Sequence, residues 1–189
     1  MDFSRTKASM LSRADKSNKG SIDLPIRKLI ECINKCQEYC TTSSCSGRSV
    51  IFAQSKSGKK NNIEFLFASH GKIDAKKLNA AIIKNAGNSW FRFEPMIIHV
   101  SCASVDAASK LLTISRQVCK HSGILSMGKF PVLEIRGSEF IEAPVQIRNE
   151  RVSDKMIICL CASANMKLGK THGKIRELVE SITKNQVKK

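Results

Sequence analysis

The residues best suited to chemistry are concentrated in Tyr39–Val50, YCTTSSCSGRSV. Six hydroxyl side chains (Thr41, Thr42, Ser43, Ser44, Ser46, Ser49) surround a Cys45-Ser46-Gly47-Arg48 step. Hydroxyls compete with the backbone for hydrogen bonds, so the stretch is a poor helix interior and reads as a connection into the β-type run Val50–Ala53. A glycine beside an arginine allows close backbone approach and presents a forked cation, as a carboxylate or phosphate ligand requires. A second polar stretch, Asp15–Asp23, places Asp15, Ser17, Lys19 and Ser21 in one loop. Other polar groups are scattered. His70 ends a strand-like run, Glu94 precedes Pro95, and His99 interrupts an apolar strand. An imidazole in that position is either a hydrogen-bonded core group or one aimed into a pocket. Arg136 and Glu142 flank a further apolar strand, where a cross-strand ion pair accounts for them equally well.

Familiar frames fail on single residues. Gly123-x4-Gly128-Lys129 imitates a phosphate-binding loop, but Phe130 stands where a metal-binding hydroxyl is required. There is no G-x-G-x-x-G dinucleotide fingerprint and no G-x-S-x-G nucleophile elbow. The eight cysteines lack the paired short loops of a zinc site. Cys32, Cys36 and Cys40 follow a helical spacing, while Cys159 and Cys161 alternate as buried strand residues would. They read as reduced thiols of a cytosolic protein, and no metal is expected.

Lys and Arg number 32 against 16 Asp and Glu, a formal charge of +16. Such an excess favours a polyanionic partner, nucleic acid first and an anionic membrane surface second. No apolar stretch approaches the roughly 18 residues of a membrane span. With 42% apolar residues, a chain of 189 can bury a sizeable core as one domain or as two small lobes sharing a core. The first twenty residues are basic and Ser-rich, like a transit peptide, but motif residues begin within them, so they read as mature protein.

The elements that must position these groups follow from hydrophobic period and caps. Helices are expected over Phe3–Arg13, from Ile26 to near Tyr39 behind an Asp23 cap, over Ala75–Asn85 behind Asp74, over Val105–His121, and over a basic terminal stretch, Leu168–Lys184. Strands are expected at Ser49–Gln54 and Ile63–Ser69, joined by a turn over Lys56–Asn62. Further strands are expected at Trp90–Ala103, Gly123–Ser126, Phe130–Arg136, Phe140–Ile147 and Met156–Ala162. The order is not a regular βαβ alternation. It indicates an α+β fold with a mixed sheet flanked by helices and a weak internal duplication, not a class I Rossmann fold.

Three motifs occur in register: Asp15-x-Ser17-x-Lys19-Gly20-Ser21-Ile22-Asp23, then Thr41-Thr42-Ser43-Ser44-Cys45-Ser46-Gly47-Arg48, then Phe93-Glu94-Pro95-x3-His99-Val100. Together they resemble the tRNA wybutosine-synthesising N4-methyltransferase family, from about Phe3 to the terminal helix. One departure stands out: the family's Gly-Phe-Arg-Asn-Ser-Gly step here reads Val118-Cys119-Lys120-His121-Ser122-Gly123. The resemblance implies a single domain over residues 1–189 that methylates N4 of the demethylwyosine-type guanosine 37 of phenylalanine tRNA. S-adenosylmethionine would be the donor, bound without a glycine-rich motif. It assigns Ser43, Ser44, Ser46, Gly47, Arg48 and Glu94 to the cofactor, with Arg48 holding either the methionine carboxylate or a tRNA phosphate. The proton acceptor would be Asp15 or His99. Ser17, Lys19, Ser21, His70, Ser122, Arg136 and Glu142 would meet the substrate, and the basic terminal helix the tRNA phosphates. The partner is then the tRNA anticodon loop at position 37, in the cytoplasm, with neither DNA nor membrane. The alternative is a non-catalytic basic RNA-binding module.

Overall fold

A computed structural model describes residues 2–12, 22–54, 63–84 and 87–187 of the chain. The elements in chain order are α1 (Phe3–Leu11), α2 (Leu24–Lys35), β1 (Tyr39–Cys45), β2 (Arg48–Gln54), β3 (Ile63–Ser69), α3 (Ala75–Ile83) and β4 (Ser89–Glu94). They continue as β5 (Ile97–Cys102), α4 (Val105–Arg116), β6 (Gly123–Ser126), β7 (Val132–Arg136), β8 (Ile141–Ile147), β9 (Glu150–Arg151) and α5 (Asp154–Val187). The α+β class holds. Every strand pairing among the described residues is antiparallel, so the β component is two antiparallel sheets rather than one mixed sheet.

The chain forms two compact units. The first comprises Met1–Ser46, Met96–Ser138 and Thr171–Lys189. Its sheet has the order β1-β5-β7-β6. Ile26, Leu29, Ile30 and Ile33 of α2 recur at helical spacing and are all buried. They pack with Ala107, Ala108 and Leu111 of α4, Ile98 and Val100 of β5, Leu133 and Ile135 of β7, and Ile175, Leu178 and Ile182 of α5. Each such aliphatic side chain stabilises the fold by roughly 1.5–3 kcal/mol relative to exposure. Because strand side chains alternate, one face of this sheet is committed to the core and His99 and Glu134 lie on the other.

The second unit comprises Gly47–Pro95 and Glu139–Lys170, with sheet order β3-β2-β4-β8-β9. Its core joins Ile51, Phe91, Phe93 and Val145 from the sheet to Leu78 and Ile82 of α3. Ile157, Leu160, Cys161, Ala164 and Leu168 of α5 complete it.

Several expected elements are corrected. The helix expected to reach Tyr39 stops at Lys35, and Cys36 is already extended at ψ 132°. The hydroxyl stretch is strand β1 itself rather than a connection, because pairing with β5 satisfies its backbone. Cys40 therefore sits in a strand and does not continue a helical row. The run Trp90–Ala103 is two strands in different sheets, separated at Pro95, which has no N–H to donate. The helices after Asp74 and after Ala103 end early, at Ile83 and Arg116. Met156–Ala162 is helix, not strand, and α5 runs 34 residues from Asp154. Its local Ile-Ile-Cys-Leu-Cys content resembles a buried strand, but Ile157, Leu160, Cys161, Ala164 and Leu168 are buried at a period near 3.6. With that stretch helical, the internal duplication has no matching strand. The turn expected over Lys56–Asn62 lies outside the described residues.

Candidate active site

The polar face of the first unit's sheet is built on one cross-strand rung. Ser43 of β1 stands opposite His99 of β5, and His99 opposite Glu134 of β7. Ser43 Oγ lies 2.7 Å from His99 Nδ1, and His99 Nε2 lies 3.1 Å from Glu134 Oε2. The imidazole is 29% exposed and the carboxylate 17%. A bulge makes the rung possible: the β1 register shifts between Thr41 and Ser43. An extra residue in one strand reverses the facing of all that follow it, so Ser43 and Cys45 share the face of His99 and Ser44 turns to that of Ile98. Thr42, the extra residue, donates its hydroxyl to the His99 carbonyl at 3.3 Å. Arg136 stands one rung further along, opposite Ile97. Its side chain is exposed and forms no ion pair among the described residues.

The end of the hydroxyl stretch is anchored by a residue expected only as a helix cap. Asp23 occupies the N-cap of α2, but its carboxylate does not bond the helix backbone. Asp23 Oδ2 instead accepts from the backbone N–H and the hydroxyl of Ser46, both at 3.0 Å. Asp23 is 7% exposed and Ser46 fully buried. Both donors of Ser46 are thus used inside the fold. Ser122 is also engaged within the fold. At 2% exposure it donates to the Cys119 carbonyl at 2.7 Å and accepts from the Arg136 N–H at 3.4 Å, shaping the α4–β6 turn.

The remaining described candidates lie in the second unit. Gly47 has φ 99°, a conformation that favours glycine. Arg48 Nε meets Glu94 Oε2 at 2.6 Å across β2 and β4. Glu142 pairs not with Arg136 but with Arg92, at 2.6 Å across β4 and β8. Arg92 also reaches Glu94 at 3.5 Å, so four charges alternate along one face. Arg92 covers the Phe52 ring at 4.3 Å and Arg48 lies 5.4 Å from the Phe65 ring. His70 follows β3 and is half-buried. Asp15, Ser17, Lys19 and Ser21 lie outside the described residues, so of the two candidate proton acceptors the structure places His99.

Three residues that matter here were missed as site residues: Asp23, Arg92 and Glu134. Glu134 carried one readable signal, a lone acid within an alternating apolar strand, Val132–Arg136.

The architecture is that of an α+β protein outside the Rossmann class, with a hydroxyl–imidazole–carboxylate row on an antiparallel sheet. The chain belongs to the family described as Methyltransferase TYW3, which matches residues 5–184. It is thus an enzyme of the tRNA methyltransferase class. It is 34% identical over 188 residues to the tRNA(Phe) 7-((3-amino-3-carboxypropyl)-4-demethylwyosine(37)-N(4))-methyltransferase of Thermococcus sibiricus, covering 97% of this chain and 94% of that one. It is 30% identical over 187 residues to the tRNA wybutosine-synthesizing protein 3 homolog of Danio rerio, covering 95% of this chain and 74% of that one. The solved structure of the PH1069 protein from Pyrococcus horikoshii superposes with a TM-score of 0.84 at 28% identity, covering 96% of both chains. Among the described residues no helix is long and apolar enough to cross a membrane.

Proposed function

We propose that the chain methylates N4 of the 4-demethylwyosine-type guanosine 37 in phenylalanine tRNA, a step of wybutosine biosynthesis, and does so in the cytoplasm. The observation that carries this reading is the alignment, over nearly the full length of both chains, with a relative named for that reaction. A basic RNA-binding module without catalysis is not favoured, because the matching family is one of methyltransferases.

S-adenosylmethionine, when bound, supplies a sulfonium methyl that is already strongly electrophilic. What remains for the protein is alignment of methyl and nitrogen, and a destination for the nitrogen's proton. The donor set on the polar sheet face fits such a cofactor: the exposed Arg136 guanidinium matches a carboxylate, and the Thr42 hydroxyl a ribose or ammonium group. Of the two candidate proton acceptors, His99 lies among the described residues, and its imidazole can hold the proton that leaves. The tRNA anticodon loop would be held mainly through phosphates, by exposed cations such as Arg176 and Lys184 of α5. Lys19 and Arg48 are further candidates for that contact.

The test is incubation of the purified chain with S-adenosylmethionine and phenylalanine tRNA bearing the demethylated intermediate, followed by mass analysis of nucleoside 37. One added methyl supports the reading; an unmodified nucleoside in the presence of demonstrable tRNA binding refutes it.

A further inference from the structure

We infer that the Ser43 hydroxyl, rather than the imidazole, receives the proton from the nitrogen being methylated, passing its own to His99, and that Glu134 is the positioning residue that sets the imidazole's tautomer and orientation. This rests on the methyl-transfer reading above and assigns the proton route within it.

Both ring nitrogens of His99 are engaged, so neither is open to a substrate proton directly. An ionised carboxylate can only accept, so Glu134 Oε2 at 3.1 Å fixes a hydrogen on Nε2. The neutral ring then presents the Nδ1 lone pair to Ser43 Oγ at 2.7 Å, and the hydroxyl donates to it. The serine oxygen keeps lone pairs directed away from the ring, and Ser43 is the exposed member of the row. The bulge at Thr42 places it there; without that bulge Thr42 rather than Ser43 would stand opposite His99. The charged and titratable groups sharing this face are Glu134 and Arg136 from β7 and Cys40 and Cys45 from β1, with Lys7 of α1 beside Cys40, while Gly123 of β6 adds none.

The step balances as follows. The substrate N–H bond breaks, its hydrogen goes to Ser43 Oγ, and the Oγ hydrogen moves to His99 Nδ1. The electron pair left on nitrogen forms the bond to the methyl carbon as the carbon–sulfur pair returns to sulfur. The imidazolium, held against Glu134, then gives its proton to solvent. No oxidant or further reactant is needed.

Two measurements test this. The first is an NMR titration of the imidazoles in the protein alone, with the His99→Gln variant identifying the His99 signal among four histidines. The expected result is an Nε2–H tautomer in the parent and, in Glu134→Gln, whose amide can donate to the ring as well as accept, a mixture of the two tautomers. An Nδ1–H tautomer in the parent, or an unchanged tautomer population in the variant, overturns the assignment of Glu134. The second is single-turnover methyl transfer with saturating cofactor. Ser43→Ala is expected to lose about 100-fold in rate with cofactor affinity by calorimetry little changed, and Ser43→Thr to recover most of it. In Glu134→Gln the saturated rate is expected to fall by about 10-fold with cofactor affinity unchanged. A Ser43→Ala variant with weakened cofactor binding and a normal saturated rate makes Ser43 a cofactor ligand and overturns the route. If the unaltered chain transfers no methyl, the functional reading fails and the proton route with it, whereas the titration still reports separately whether the tautomer is as assigned.

Discussion

Replacing Asp23 by Ala tests the anchor that ties the start of α2 to the end of β1. The substitution removes the oxygen that accepts from both Ser46 donors, each at 3.0 Å in a buried setting. A buried donor left unpaired costs about 1–3 kcal/mol. The hydroxyl can rotate in search of another acceptor but the backbone N–H cannot, so the total is about 2–4 kcal/mol. For a chain of this size that corresponds to a Tm lower by about 5–15 °C. Asp23→Asn keeps an acceptor oxygen but loses its charge, and charge-assisted bonds are about twice as strong, so roughly half the loss is expected. Thermal unfolding gives the global effect, and amide hydrogen exchange at Ser46 gives the local one. In Asp23→Ala the Ser46 amide should lose protection well beyond residues on the far side of the sheet. An alanine variant within about 0.5 kcal/mol of the parent, with the Ser46 amide still protected, would refute the reasoning.

Other perturbations follow from the same structure. Burial pushes the Cys102 thiol up to about 12 and also raises Cys40 and Cys161, whereas Cys159 is exposed. Alkylation at pH 8 should therefore mark Cys159 first and reach Cys102 only on unfolding, as read by peptide mass. The His172 imidazole lies below its ordinary value of 6.5, chiefly through burial and secondarily through Arg176, with Asp23 opposing. A lowered folded value means the unfolded chain takes up the proton first. Stability should thus fall as pH drops below about 6.5, and a His172→Leu variant should show a flatter stability–pH curve in urea titrations. Arg92→Ala removes the cation shared by Glu94 and Glu142 and uncovers Phe52, with an expected loss of about 1–2 kcal/mol in denaturant unfolding. Arg48→Ala, which leaves Glu94 still paired with Arg92, should cost less.

The elements that were legible in the chain are those whose signal is local. The apolar spacing of Ile26, Leu29, Ile30 and Ile33, the cap at Asp74, and the alternation in Val132–Arg136 each identify their element from neighbouring residues alone. What was not legible depends on pairing between distant segments. The hydroxyls of Tyr39–Cys45 look like a loop until β5 supplies their backbone partners, some 55 residues later. Met156–Ala162 looks like a strand until its burial is seen to continue at helical period through Leu168. The functional row shows the same division. Ser43 and His99 were picked out by type and motif, whereas Glu134 joins them only through the β5–β7 register. Asp23 was read as a cap because its position suits one, and no sequence spacing points to Ser46 as its actual partner.

The most direct measurement of the central claim is methyl incorporation at nucleoside 37 of phenylalanine tRNA bearing the demethylated intermediate, comparing the unaltered chain with His99→Gln. The account predicts one methyl per tRNA at N4 for the unaltered chain and a rate about 100-fold lower for the variant, with tRNA binding retained in both. Equal rates in the two proteins would contradict the role given to His99, and no incorporation by either, with tRNA bound, would contradict the function itself.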